Sequence, residues 1–238
     1  MDAVVLAAGK GKRFVAEGQE TPKPLVPLCG RPMIDRLVDI LSNTVDGTIV
    51  VAVNKGSGEV ERHMEELQQR YPRLRTLTVD SKNSFDTLAV ASRVTTGKFI
   101  ACTCDTVFSP QEFALYVKRY ASMTPDELLM GVTGYVDDDR PLYIRISDTG
   151  EIVDFRYGGE PFSGDVTVSA GVYGLTGEAV SWTCAAGHEP ATLNEFQRKL
   201  ASGNRYKLFP FELGKVFDVD NGRVLAAAQE YLQNNGVR

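Results

Sequence analysis

Gly9-Lys10-Gly11-Lys12-Arg13 and, shortly after, Thr21-Pro22-Lys23-Pro24-Leu25 set four cationic side chains beside two glycines separated by one residue. Glycine lets a backbone turn tightly and approach a ligand with no Cβ in the way. Clustered Lys and Arg supply positive charge, so the stretch has the chemistry of a polyphosphate site. Two common phosphate motifs do not fit. Walker A requires Gly, four residues, then Gly-Lys-Ser/Thr, which Gly9 to Phe14 does not provide. The dinucleotide fingerprint requires a third glycine where Phe14 stands, and the next predicted strand ends at Val53-Asn54 with no acid for a ribose hydroxyl.

The elements that must position this loop can be read from periodicity. Ala3–Ala8 is a continuous apolar run of the kind that forms a fully buried strand. Pro32–Val45 has helical spacing, Thr48–Val53 reads as a strand, Glu59–Arg70 as a polar surface helix, and Leu74–Val79 as a third strand. Ser84–Val94 fits a helix, Lys98–Thr103 a fourth strand, and Ser109-Pro110-Gln111-Glu112 opens a capped helix. Such β-α alternation predicts an α/β fold with a doubly wound, mostly parallel sheet and helices on both faces. Beyond Pro125 the pattern becomes mixed. Strands are expected at Glu127–Gly134, Leu142–Ile146, Glu151–Phe155, Val166–Leu175, Tyr206–Phe211 and Lys215–Val219, with a hairpin turn at Asp148-Thr149-Gly150. Helices are expected at Gly177–Ala186, Ala191–Ser202 and Asn221–Gln233. A single domain over 1–238 follows, with a nucleotide-type half at 1–110 and a mixed half at 111–238 completing the site.

A formal charge of −5 argues against a nucleic-acid partner held on a broad basic surface. No run reaches the ~18–20 apolar residues of a membrane span, and the N-terminal cations follow the apolar run rather than precede it, unlike a secretory signal. Cys29, Cys102, Cys104 and Cys184 suggest neither a disulfide framework nor a zinc site, so free thiols in a reducing cytoplasm are expected. His63 and His188 have no candidate partner nearby in sequence. Phe209-Pro210-Phe211 and Trp182 read as core or as subunit interface, which leaves a homo-oligomer open.

Leu6-Ala7-Ala8-Gly9-Lys10-Gly11-Lys12-Arg13, then Thr21-Pro22-Lys23-Pro24-Leu25, then Gly30-Arg31-Pro32-Met33-Ile34, resembles the signature of the nucleotidyltransferase (sugar-nucleotide pyrophosphorylase) superfamily. The resemblance implies a Rossmann-like nucleotide-diphospho-sugar transferase fold. It also implies transfer of a nucleoside monophosphate from a triphosphate to a phosphorylated small acceptor, usually a sugar 1-phosphate, with release of pyrophosphate. Catalysis of that kind is positioning plus charge neutralisation. Leu6 to Lys12 would bind the nucleotide, and Arg13 would hold the departing β- and γ-phosphates with its planar fork. Lys23 would sit between donor α-phosphate and acceptor phosphate. Lys10 and Lys12 also read as solvated surface lysines.

The implied reaction uses Mg²⁺, which favours one or two carboxylates with water and phosphate. Asp105, just past the fourth strand, matches the family's Gly-Asp, with Cys104 in place of glycine. Phe217-Asp218-Val219-Asp220-Asn221 resembles the family's second acidic segment. Alternation points Asp218 and Asp220 the same way. Asp220 is the preferred ligand with Asp218 beside it, and Asp220 as a helix cap is the other reading.

The base would be read by Asn83, Ser84 and Thr87, at a turn where sugar-nucleotide enzymes usually have glycine at the Thr87 position. Asn83-Ser84-Phe85 is more similar to the choline-phosphate cytidylyltransferase type of relative. On the acceptor side, Gly171 lies in a recognisable Ser169-Ala170-Gly171-Val172-Tyr173 strand, but the family's Glu-Lys-Pro lysine is missing from Gly158-Gly159-Glu160-Pro161. Lys215 is a candidate to replace it; a solvated lysine is the simpler account. A glycosyltransferase would usually need Asp-x-Asp at the metal strand, which Asp105-Thr106-Val107 lacks. A catalytically silent nucleotide-binding regulatory protein is the reading from another class.

Overall fold

The computed structural model describes residues 1–185 and 190–236. In chain order the first half comprises β1 (Asp2–Ala7), α1 (Lys12–Ala16), β2 (Pro27–Leu28), β3 (Arg31–Pro32), α2 (Met33–Thr44), β4 (Ile49–Asn54), α3 (Gly58–Arg70), β5 (Leu74–Val79), α4 (Ser84–Ser92) and β6 (Lys98–Thr103). Next come β7 (Thr106–Val107), α5 (Pro110–Ala121), β8 (Glu127–Thr133), β9 (Leu142–Ile146), β10 (Ile152–Tyr157) and β11 (Val168–Thr176). The remainder is α6 (Gly177–Ala185), α7 (Leu193–Ser202), β12 (Lys207–Glu212), β13 (Phe217–Asp218) and α8 (Gly222–Asn234). Ala186 and His188 lie outside the described residues.

Nine strands form one sheet, ordered β10-β9-β11-β6-β1-β4-β5, with β8 pairing both β11 and β12. Strands β5, β4, β1 and β6 are mutually parallel. Antiparallel pairing of β11 with β6 then carries the same sheet into the second half. Because β1 is buried along its whole length, it can take the centre of this sheet. Ala3, Val5 and Ala7 share a core with α2, α3 and α5, while Val4 and Leu6 face α4, α6 and α7. Both faces are covered, as the β-α alternation requires. Among the described residues no helix is long and apolar enough to cross a membrane.

Caps legible in the sequence close the helices. Ser109 Oγ accepts from Glu112 N at 3.4 Å and Thr192 Oγ1 from Glu195 N at 3.2 Å. Two local features were not expected. Cys29 (φ 53°) and Gly30 (φ 80°) turn the two-residue β2–β3 hairpin, and both adopt the left-handed conformation of a type I′ turn. The expected strand Lys215–Val219 shrinks to β13, which pairs with β7. The aromatic residues read as core or interface are half-buried and pack against the core: Phe211 meets Tyr116 edge-on at 5.5 Å, and Trp182 meets Tyr206 at 5.7 Å.

Asp2 fastens β1 to two loops. Its carboxylate accepts from Thr48 N at 2.9 Å, Thr96 N at 2.9 Å and Thr96 Oγ1 at 3.2 Å. Asp2→Ala removes the carboxylate that accepts all three hydrogen bonds, at a position only 9% exposed. It should destabilise the fold by about 2 kcal/mol, seen as a lower urea midpoint with an unchanged m-value.

Candidate active site

The direction in which the chain adds strands reverses between β1 and β6, leaving a crevice outside their carboxyl ends. Register places Leu6 opposite Thr103, so the glycine loop after β1 and Asp105 after β6 emerge side by side. A cleft of about 960 Å³ opens there.

Gly11 (φ 57°) caps α1 in the left-handed conformation, and a Cβ on it would lie 3.1 Å from Lys23 Cβ. Glycine therefore lets the loop rest against the lysine. Lys23 opens a 3₁₀ turn, Lys23–Leu25, capped by Pro22. At 8% exposure its ammonium forms ion pairs with both Asp105 and Asp220. Arg13 Nη1 reaches Asp220 Oδ2 at 2.5 Å and Asp138 Oδ1 at 3.3 Å. The acids from the far end of the chain arrive through the β7–β13 ladder, which sets Asp218 opposite Thr106, and through Val219 N donating to Asp105 O at 3.0 Å.

Asp105, Asp218 and Asp220 each offer a carboxylate oxygen, all within 4.8 Å of one another. Burial opposes charge on Lys23, but Asp105 and then Asp218 and Asp220 hold its pKa above the ordinary lysine range. Burial likewise opposes charge on Asp105, and Lys23 overrides it, keeping that carboxyl below its ordinary range. Asp218 goes the other way. Although the residue is solvent-exposed, desolvation by the crowded site, then the charges of Asp105 and Asp220, raises it above the usual carboxylate range.

An all-oxygen donor set suits a hard divalent cation such as Mg²⁺. Asp105 Oδ1 is buried without a hydrogen-bond partner, an orphaned acceptor that a cation would satisfy. The residues present fit such an ion.

Leu6, Ala8, Gly9, Lys10, Gly11, Lys12, Arg13 and Lys23 line the cleft, as do Asn83, Ser84, Thr87, Gly171 and the three acids. Ala7 does not. On a strand it alternates away from Leu6, and it packs in the core on the α2 side. Asn83 Oδ1 is engaged in capping α4, accepting from Phe85 N at 2.8 Å and Asp86 N at 3.0 Å. The buried Thr87 hydroxyl pairs with Ser81 Oγ at 2.6 Å. Asn221 caps α8 by accepting from Val224 N at 3.0 Å, so Asp220 is not the cap and is left to face the cleft.

The expectation for Lys215 is corrected. It is absent from the cleft wall, and its ammonium stands 4.4 Å from the Tyr135 ring, 5.1 Å from Phe217 and 5.8 Å from Tyr231. A cation held over three aromatic faces is occupied there. His63, also without an assigned role, bonds Asp35 Oδ1 at 2.5 Å between α2 and α3 and takes no part in the cleft. Cys102 and Cys104 are buried thiols pushed well above the ordinary range by desolvation, which fits small core residues.

Sequence reasoning passed over the acidic run between β8 and β9. Asp137, Asp138 and Arg140 line the cleft, and desolvation pushes the Asp137 carboxyl up to about 6. The run of three aspartates before Arg140 was the available signal.

Gly171 (φ 67°) sits where the β8–β11 register shifts between Ser169 and Tyr173. A Cβ there would lie 2.5 Å from Thr106 Oγ1 and 2.7 Å from Thr103 Oγ1, the two hydroxyls bracketing Asp105. Gly171→Ala adds backbone strain of about 1 kcal/mol and must displace those threonines. Turnover in the assay described below should fall by more than tenfold with secondary structure unchanged by circular dichroism.

A family model for the MobA-like NTP transferase domain matches residues 3–157. The bifunctional protein GlmU of Methanococcus maripaludis is 35% identical over 51 residues, which are 21% of this chain and only 12% of that protein. The 2-aminoethylphosphonate cytidylyltransferase of Lancefieldella rimae is 26% identical over 176 residues, 67% of this chain and 68% of that one. Among solved structures, a Bacillus anthracis chain assigned as a glucose-1-phosphate thymidylyltransferase superposes with a TM-score of 0.84 at 18% identity, covering 98% of this chain and 96% of that one. At that identity the likeness shows the fold: mixed α/β with a large sheet and helices on both faces.

Proposed function

The chain belongs to the MobA-like NTP transferase family, and from that premise we propose that it joins a nucleoside monophosphate to a phosphorylated small acceptor and releases pyrophosphate. The observation that carries this reading is Lys23, held between Asp105 and Asp220 beside the glycine loop. A lysine that only binds phosphate has no need of two carboxylates from distant segments. A lysine that offsets charge at a metal-assisted transfer centre does.

In the reaction an acceptor phosphate oxygen attacks the α-phosphorus in line, and the bond from that phosphorus to the β-bridging oxygen breaks. Gly9–Lys12 amides receive the triphosphate, and Arg13 takes up charge on the leaving pyrophosphate. Lys23 stabilises the oxygens of the pentavalent centre, where charge is shared between donor and acceptor. Asp105, with Asp218 or Asp220, would hold Mg²⁺, which when bound offsets phosphate charge and orients the triphosphate. Nothing in these steps requires a general base, because the attacking phosphate oxygen is already ionised.

A sugar 1-phosphate is the first acceptor to test. A second reading, a cytidylyltransferase for an ammonium-bearing acceptor such as choline phosphate or an aminoalkyl phosphonate, is favoured by Asp137 on the cleft wall, one of whose carboxylate oxygens has no hydrogen-bond partner. It is also supported by the two-thirds-length match to the phosphonate enzyme. A cytoplasmic location, where triphosphates and free thiols coexist, belongs to the same proposal.

Triphosphates should be screened against both acceptor classes with Mg²⁺, with pyrophosphate release as the readout. At least one pair should turn over; silence across the full matrix would point to the regulatory reading. Melting-temperature shifts with individual triphosphates then identify the base.

A further inference from the structure

The mechanism leaves unused a second cavity of about 900 Å³ that shares no lining residue with the cleft. Leu28, Cys29, Gly30 and Arg31 of the β2–β3 hairpin, Arg36 of α2, and Leu232 and Gln233 near the end of α8 line it. Arg36 is the anomaly. It is only 8% exposed, and no ion pair among the described residues includes it. Its Nη2 donates to Phe108 O at 3.4 Å, and its Nε is buried with no partner. A guanidinium taken from water without a counter-anion is costly, so proteins normally pair it.

The surroundings sharpen the anomaly. Arg31 stands on the same wall and is already engaged, with Asp39 at 3.5 Å and with Asp35 O at 3.0 Å. Burial, opposed by Cys29 and reinforced by the charge of Arg31, lowers the pKa of Arg36. Asp39 answers the charge of Arg31, and no carboxylate among the described residues pairs with Arg36. The volume lies in the range of small-molecule sites, ~300–1,000 Å³, and it opens to solvent beside the exposed Cys29 and Gln233. A bare inorganic ion would leave most of that space empty.

We propose that this cavity is a second ligand site, taking a small organic oxyanion whose charged head pairs with Arg36 and whose body lies in the opening between the β2–β3 hairpin and the end of α8. Phosphate esters and carboxylates share the head-group chemistry that a planar guanidinium recognises. The site is joined to the cleft at two points. The β2–β3 hairpin follows directly on the Lys23 turn, and Phe108, whose carbonyl Arg36 holds, lies three residues beyond Asp105.

Cys29 gives a readout independent of catalysis, because its thiol is exposed at this cavity while Cys102 and Cys104 are buried. Alkylation of Cys29, followed by peptide mass mapping, should slow at least fivefold in saturating glucose 6-phosphate, 3-phosphoglycerate or citrate. Which of them protects separates phosphate ester from carboxylate. Protection should fall below twofold in Arg36→Met and in Gln233→Glu, which sets a negative charge on the exposed cavity rim. Circular dichroism and cooperative melting check that both variants fold. Protection surviving in both variants, or absent with all three probes in the wild-type chain, overturns the proposal. Either result leaves the pyrophosphate-release test untouched.

Discussion

Lys23→Met should abolish nucleotidyl transfer, with kcat falling on the order of 10³-fold, the scale of losing one preorganised charge at a transition state. Methionine keeps the stem that Gly11 packs against and removes only the ammonium. Triphosphate affinity should change much less, because the glycine loop and Arg13 remain. A second signature follows from the ion pairs. In the wild-type chain Lys23 offsets Asp105 and Asp220, whereas the variant leaves three carboxylates within 4.8 Å and no buried cation. Its melting temperature without divalent metal should drop, and added Mg²⁺ should raise it by more than in wild type. Wild-type turnover in Lys23→Met would refute the central role. An unchanged metal response would show that the lysine does not offset the acids.

How much of this centre could be read in the sequence depends on how local its causes are. Continuous apolar runs at β1, β4 and β6 force a buried parallel core, and Asp105 follows its strand immediately, so its place at the sheet edge was legible. Asp218 and Asp220 were recognisable as acids before a final helix. Their meeting with Lys23 rests on the two-residue β7–β13 ladder, which is too short to leave any periodicity. The choice between ligand and cap at Asp220 was settled by its neighbour, because Asn221 takes the cap.

Lys215 shows the opposite failure. Its nearness to Asp218 in sequence suggested a site residue, but Tyr135, Phe217 and Tyr231 converge on its ammonium from three separate segments. No local pattern announces such a cage. The acidic run at 137–139 was visible as charge, and its partner was not. Asp138 meets Arg13 from 125 residues away, a contact that only the join of the two half-sheets creates.

Asp105→Asn is expected to be as damaging as the loss of Lys23, for a reason that also separates the two remaining acids. Asn keeps the shape of Asp105 but halves the acceptor set and removes the charge that holds Lys23. Turnover should nearly vanish at any Mg²⁺ concentration. Asp220 is already committed to Lys23 and Arg13, whereas Asp218 has no side-chain hydrogen bond or ion pair among the described residues and remains open to the cleft. Asp218 is therefore the better candidate to join Asp105 at a cation, which reverses the preference drawn from sequence.

The sign of its pKa shift gives a matching test. A carboxyl whose folded pKa is raised opposes folding as pH rises past its unfolded value, and the full cost is present above the folded value. Asp218→Asn removes that cost, so the metal-free melting temperature at neutral pH should rise while the Mg²⁺ concentration for half-maximal turnover increases at least tenfold. Asp220→Asn should instead lower the metal-free melting temperature, because it releases Arg13 and one side of Lys23. If the two variants exchange these signatures, Asp220 is the ligand and Asp218 the bystander.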